Sequence, residues 1–190
     1  DEKTKVTGGQ MDMKSIVIYS SKTGFTERYA RWIAEDLQCT CKPIKDVKSS
    51  ELLDYDCVIY GGWLMAGNIK DILKLRQLKG LGEKKIIIFA VGLTPMGEAD
   101  IVEKMKETNL NEDEEERIPF FYFEGGLDYD RMGFINKRLM KSLRKTLGKK
   151  KELSEGEADM LHKLENSCDG TDRSYIAPLV ERVKSLADGE

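Results

Sequence analysis

A doubly wound α/β fold, with five parallel strands in the order 2-1-3-4-5 and helices on both faces, is what three features of this sequence predict. Short apolar runs, Ile16 to Tyr19, Cys57 to Tyr60, Lys85 to Val91 and Ile118 to Phe123, are rich in β-branched and aromatic residues and lack polar alternation. They read as strands buried on both faces of a parallel sheet. Helical patterns separate them, which calls for right-handed crossovers. Glycine stands at the end of three of these strands and shortly after the first. In such a sheet ligands bind beyond the carboxyl ends of the strands, at the switch point between strands one and three, so these glycines are expected where the backbone meets a ligand.

A chain of 190 residues and 21.6 kDa suits one domain with a substantial core. Its 31 basic and 34 acidic residues leave a net charge of −3, so nothing in the overall balance points to nucleic acid. No apolar run approaches the roughly 20 residues that cross a bilayer, and no signal-peptide core is present, so a cytoplasmic location is expected. Cys39, Cys41, Cys57 and Cys168 form neither a C-x-x-C motif nor a zinc set, and the single His162 lies far from them. Cys57 reads as a core residue and His162 as a surface one. Cys39 and Cys41 read as reduced thiols, because the helix-terminal setting that activates a thiol is missing.

Taken in order, residues 1–12 are polar, contain adjacent glycines and show no periodicity. They read as a disordered leader resembling part of an expression tag, with a native start at Met11 or Met13 and a folded domain over 13–190. Strand one leads through a short loop to helix one, Thr26 to Gln38, with Tyr29, Ala30, Ile33, Ala34 and Leu37 inward. Thr40 to Ile44, interrupted by Pro43, is a weak edge strand. A helical turn at Ser49 to Leu53 precedes strand three. Helix two is expected over Asn68 to Leu78, with Ile69, Ile72, Leu73 and Leu75 inward, and helix three over Glu98 to Thr108. Asn111 to Glu116 reads as an acidic surface loop.

A helical insertion over 125–168 follows strand five. From Arg131 to Lys151 there are nine basic residues and no acid, while Phe134, Ile135, Leu139, Met140, Leu143 and Leu147 fall near one face. This is a basic amphipathic helix. It either docks on its own domain with a solvated basic face or lies on an anionic membrane, where each basic residue contributes about 1 kcal/mol. Ser154-x-x-Glu157 is a capping box opening a second, acidic helix with Ala158, Met160, Leu161 and Leu164. The final helix, Tyr175 to Leu186, turns Ile176, Leu179, Val180, Val183 and Leu186 toward the sheet.

Candidate ligand-binding residues gather in the loops at the carboxyl edge. Ser20, Ser21, Lys22, Thr23, Gly24, Phe25 and Thr26 combine backbone N–H groups at a helix mouth, hydroxyl donors and a glycine, which is what an anion needs. Ser and Thr at this position also serve as plain helix caps. After strand three come Gly61, Gly62, Trp63 and Leu64, with the tryptophan placed to offer a flat apolar face to a planar ring, or else to fold onto the sheet edge. Gly92, Leu93 and Thr94 follow strand four, and Gly125 and Gly126 follow strand five. No metal ligand set and no catalytic acid or base is indicated.

The pattern Ser21-x-Thr23-Gly24-x-Thr26 resembles the phosphate-binding loop of flavodoxins, which hold the phosphate of FMN. It is not a Walker loop, and no G-x-G-x-x-G occurs, which argues against ATP and dinucleotides. With the glycine-containing loops after strands three and four, FEGGLDYDRMGFINKRLMKSLRKTLG resembles the flavodoxin-domain family that includes the menaquinone-dependent protoporphyrinogen oxidases. The resemblance spans about Met13 to Leu186. It implies a flavodoxin-like fold, FMN as cofactor, and an oxidoreductase passing electrons from a reduced substrate such as a porphyrinogen to a quinone. Residues 125–126 and the loops above would then surround the flavin, with N–H groups of Gly62, Leu93 and Thr94 at its ring edge. Gly61 to Met65 lacks the basic and histidine-containing character of the porphyrinogen-oxidising members, and Lys149 to Cys168 adds an acidic helical segment. Two other functions fit the same residues: an electron carrier between redox proteins, and a flavin-free phosphate-binding or regulatory module.

Overall fold

The computed structural model describes residues 13–189; the expected leader, 1–12, lies outside the described residues. Five parallel strands form the sheet: β1 (Ser15–Ser20), β2 (Thr40–Pro43), β3 (Cys57–Met65), β5 (Lys85–Gly92) and β6 (Phe120–Glu124). Their order is β2-β1-β3-β5-β6, the predicted arrangement. Successive side chains leave a strand on opposite faces. Ile16 and Ile18 accordingly join one core layer with Val58, Tyr60 and Ile88, while Val17 and Tyr19 join the other with Ile59, Ile87 and Phe89. The first layer is closed by α2 (Ile72–Arg76) through Ile72 and Leu75, and by Val102 and Met105 of α3 (Ala99–Asn109). The second is closed by α1 (Phe25–Leu37) and α7 (Ala177–Asp188) through Tyr29, Ile33, Leu179 and Val183.

Four local expectations are corrected. First, strand three does not end at Tyr60. It continues to Met65 and folds back in a hairpin with β4 (Asn68–Ile69), Leu64 opposite Ile69 and Met65 opposite Asn68. Ala66 and Gly67 both have positive φ, 50° and 80°, the two-residue turn whose twist suits a hairpin. The apparent loop Gly61 to Asn68 is thus mostly strand. Second, helix two shrinks to α2, because residues 68–69 are in the hairpin and Asp71 enters the left-handed region at φ 60°. Leu73 is then 66% exposed rather than inward. Third, the acidic stretch is a helix, α4 (Glu112–Arg117), with a complete capping box between Asn111 and Glu114. Arg76 pairs with Glu114, which offsets some of its charge density. Fourth, the last helix is preceded by a 3₁₀ turn at Arg173–Ile176, and Pro178 sits in its first turn.

The 125–168 segment is built as expected from two helices, α5 (Phe134–Leu147) and α6 (Glu155–Lys163), the latter capped by Ser154 and Glu157. They are held between β7 (Gly126–Leu127) and β8 (Cys168–Asp169), an antiparallel ribbon. Leu127, Met132, Leu147 and Leu164 make a small core of their own, supported by Met140, Leu143 and Met160.

Candidate functional site

At the carboxyl edge of the sheet the chain between β1 and α1 turns over Gly24, whose φ is +102°, a value that disfavours a side chain. The Gly24 amide donates to Ser21 Oγ at 3.2 Å. Among the described residues, no hydrogen bond within the protein engages the amides of Lys22, Thr23, Phe25 or Thr26. They are the unpaired donors of a helix start, carrying its positive partial charge. Thr26 is only 1% exposed and lines the adjoining cavity.

That cavity has a volume of about 240 Å³ and joins four sequence-predicted loops. Ser21, Lys22, Thr23, Phe25 and Thr26 line one end; Trp63 and Leu64 of the hairpin, Gly92, Leu93 and Thr94 after β5, and Gly125 and Gly126 after β6 line the rest. The amide of Leu93 also makes no hydrogen bond within the described residues. The far wall was not read from the sequence as part of the site. It is the apolar face of α5, Leu139, Met140 and Leu143, with Met160 from α6. Five methionines, Met65, Met105, Met132, Met140 and Met160, reach this cavity. Methionine packs adaptably against aromatic surfaces. The signal for the wall was present as the helical spacing of those residues, but spacing does not say what a face covers.

Ser20, Gly61 and Gly62 stand elsewhere. Ser20 donates its hydroxyl to Asp71 Oδ2 at 2.6 Å. A Cβ on Gly61 would fall 2.0 Å from the Phe89 ring, and one on Gly62 would fall 2.4 Å from Ile69. Both glycines therefore serve close packing under the sheet and hairpin. Gly126 is similar, since its Cβ would meet the Cys168 carbonyl at 2.2 Å. Gly24 faces a neighbouring open groove.

Buried charge holds the α6 wall in place. Lys163 pairs with both Glu124 at the end of β6 and Asp159 one turn back. Glu124 also accepts the Met96 amide at 3.2 Å, tying the loop after β5 to the same point. Burial pulls the Lys163 pKa down, but its bonds to Asp159 and Glu124 outweigh that and raise it. Burial of Cys39 and Cys41 pushes both thiols up to about 11, so neither is activated at neutral pH. His162 projects into solvent, and no group of metal-ligating side chains is assembled among the described residues.

Comparison with known proteins matches the flavodoxin domain to residues 16–154 of this chain. The chain belongs to the flavodoxin domain family. A flavodoxin-like domain-containing protein, BilS, from Clostridioides difficile (strain CD3) is 38% identical over 104 residues. That match takes in 50% of this chain and 57% of BilS, so the chain spans little more than half the length of this relative. Among solved structures, a flavodoxin, WrbA-like protein from Agrobacterium tumefaciens is 15% identical with a TM-score of 0.42, covering 91% of this chain and 98% of that one. Oxidised flavodoxin 1 from Bacillus cereus is 17% identical with a TM-score of 0.41, covering 78% and 97%. Within this flavodoxin domain, the α5 and α6 segment is what encloses the outer side of the cavity.

Proposed function

We propose that this flavodoxin domain binds FMN, with its phosphate at Ser21 to Thr26 and its ring toward Trp63, Leu93 and Thr94, and acts as an oxidoreductase on a small reduced substrate. The single observation that carries this is the continuity of the cavity, from a helix mouth with unpaired amides and the Thr26 side chain at one end to an apolar wall at the other. One end suits an anion and the other a planar apolar ring. When bound, FMN supplies hydride and single-electron transfer; the protein supplies binding, orientation and exclusion of water. In this proposal the Leu93 amide donates to a ring edge, and Trp63, Leu139, Met140 and Leu143 keep bulk water from it.

A plain electron carrier needs its flavin edge open to a protein partner. The covering by α5 favours a small-molecule partner in the cavity instead. The resemblance noted in the sequence extends the proposal to a porphyrinogen-like donor and a quinone acceptor. α5 turns Met140, Leu143 and Leu147 inward but, against the single apolar face read from the sequence, leaves Phe134 and Ile135, 76% and 81% exposed, outward with its basic residues. That outward face is the part able to meet an anionic membrane where a quinone resides. Among the described residues no helix is long and apolar enough to cross a membrane.

The cofactor proposal is tested by incubation with FMN followed by desalting. Retained absorbance near 450 nm is expected, and its absence would leave the flavin-free module as the better account. Turnover with protoporphyrinogen and a menaquinone analogue tests the substrate; no turnover combined with fast exchange with a reductase would favour the carrier. Salt-sensitive sedimentation with anionic but not neutral vesicles tests the membrane contact.

A further inference from the structure

The phosphate loop has one cationic neighbour that the sequence comparison of loops does not suggest, and it comes from the segment after β7. We propose that Arg131 is the charge partner of the cofactor phosphate and makes the site select a phosphorylated flavin over the same flavin without its phosphate. This rests on the FMN reading above and adds to it a residue from outside the sheet's own loops.

Arg131 Nη1 lies 3.3 Å from where a Cβ on Gly24 would stand, and both residues line the open groove beside the cavity, so the guanidinium meets the loop from that side, at the one residue with no side chain to hold it off. Its backbone is fixed by Asp128, whose Oδ1 accepts the amides of both Asp130 and Arg131 at 3.0 Å. Asp128 Oδ2 is 3.5 Å from Arg131 Nε, near enough to orient the side chain but too far for a good hydrogen bond. The fork of donors is left uncommitted. The other arginines nearby are taken: Arg28 Nη1 bonds Asp169 at 2.5 Å and Thr171 at 2.6 Å, and Arg31 holds Glu27 at 2.6 Å. Lys22 runs toward the same segment, its Nζ 3.8 Å from the Cβ position at Gly133.

The loop itself offers amides and the hydroxyls of Ser21, Thr23 and Thr26. These are dipoles and do not neutralise a phosphate monoester, which carries about −1.5 to −2 charges at pH 7. A guanidinium is planar and bidentate toward phosphate, which a lysine ammonium is not. Arg131 therefore gives the charge and the fork, while the helix mouth gives the directed donors. A flavin lacking phosphate would make neither contact and would leave the loop's unpaired amides without a partner.

The test is titration of wild type, Arg131→Gln, Arg131→Lys and the distant surface control Lys184→Gln with FMN and with riboflavin, followed by flavin fluorescence at two salt concentrations. Wild type should bind FMN the more tightly. Arg131→Gln should weaken FMN about ten- to a hundred-fold, as for the loss of a charge-assisted hydrogen bond, and leave riboflavin unchanged. It should also flatten the salt dependence of FMN binding; Arg131→Lys should recover part of the loss, and Lys184→Gln should match wild type. Arg131 is 71% exposed, so the unfolding midpoint should not move. An unchanged FMN-to-riboflavin ratio in Arg131→Gln overturns the proposal while leaving the cofactor reading standing. Failure of wild type to bind FMN at all overturns both.

Discussion

Replacing Gly61 by alanine separates the two explanations of the glycine pair at the end of the apolar part of β3, approach to a ligand or packing beneath the sheet. A Cβ there would stand 2.0 Å from Cζ of Phe89 and 2.4 and 2.5 Å from its two Cε atoms. Carbon atoms rest at about 3.5–4.0 Å, so the ring would have to retreat by roughly 1.5 Å. It has nowhere to go: Phe89 is fully buried, and its ring lies 5.4 Å from that of Phe123, which itself lies 5.0 Å from Tyr29. Overpacking a tight core costs about 1–3 kcal/mol, and full burial places this site in the upper half of that range. For a chain of this size that corresponds to a fall in Tm of about 4–12 °C. Urea unfolding of wild type, Gly61→Ala, Phe89→Leu and the double variant measures it. In the Phe89→Leu background alanine should cost about 1–2 kcal/mol less, the coupling expected of residues in contact. Gly61→Ala within about 0.5 kcal/mol of wild type, or an equal cost in both backgrounds, would refute the packing explanation.

Other outcomes follow from the same geometry. Trp63 borders the cavity whereas Trp32 packs edge-on against Tyr29, so FMN should quench tryptophan emission and Trp63→Phe should abolish most of that quenching; undiminished quenching would place the flavin elsewhere. With Cys39, Cys41 and Cys57 pushed up to about 11 by burial, their alkylation by iodoacetamide at pH 7.5 should be slow and rise about tenfold per pH unit up to that range. Asp71, Glu114 and Asp169 are held below the usual carboxylate range: burial opposes their charge, but bonds from Ser20 and Lys74, from Arg76, and from Arg28 and Thr171 outweigh it. A folded pKa below the unfolded one means stabilisation present above about pH 4 and lost as pH falls through it, so urea midpoints should be flat from pH 6 to 8 and drop below pH 4. Glu124→Gln should loosen α6, seen as faster proteolysis within 128–167 and a loss of about 1–3 kcal/mol, moderated because Asp159 still pairs with Lys163.

The sheet was legible because its strands are buried on both faces, and a run such as Ile86 to Val91 has few other places to go. Helix one was legible through Tyr29, Ile33 and Ala34, which repeat at the helical period. The hairpin was not, because Gly61 and Gly62 read as strand terminators, and only the proximity of Phe89 and Ile69 explains why glycine is needed inside a continuing strand. Asn111-x-x-Glu114 carried the signature of a capped helix, but five consecutive acids masked it; the pairing of Glu114 with Arg76, 38 residues away, is tertiary information. The loop from Ser21 to Thr26 was visible as a pattern of hydroxyls and glycine. Ser20 was not separable from Ser21 until Asp71 came within reach of its hydroxyl. The α5 wall and the placing of Arg131 over Gly24 depend on where the chain after β6 returns, which no local spacing encodes.

The ribbon of β7 and β8 has an architectural consequence. Gly126 stands opposite Asp169 and Leu127 opposite Cys168, so the chain leaves the sheet and comes back at one spot. Everything between 128 and 167 is an excursion whose two ends are neighbours. Such a module is free to lengthen, shorten or be exchanged without rethreading a single strand, because the cost of closing a loop grows only slowly with its length. The sheet and the loop from Ser21 to Thr26 thus form the fixed part of the molecule, and the doorway to the cavity is hung on a two-residue hinge plate that sequence change can refit independently.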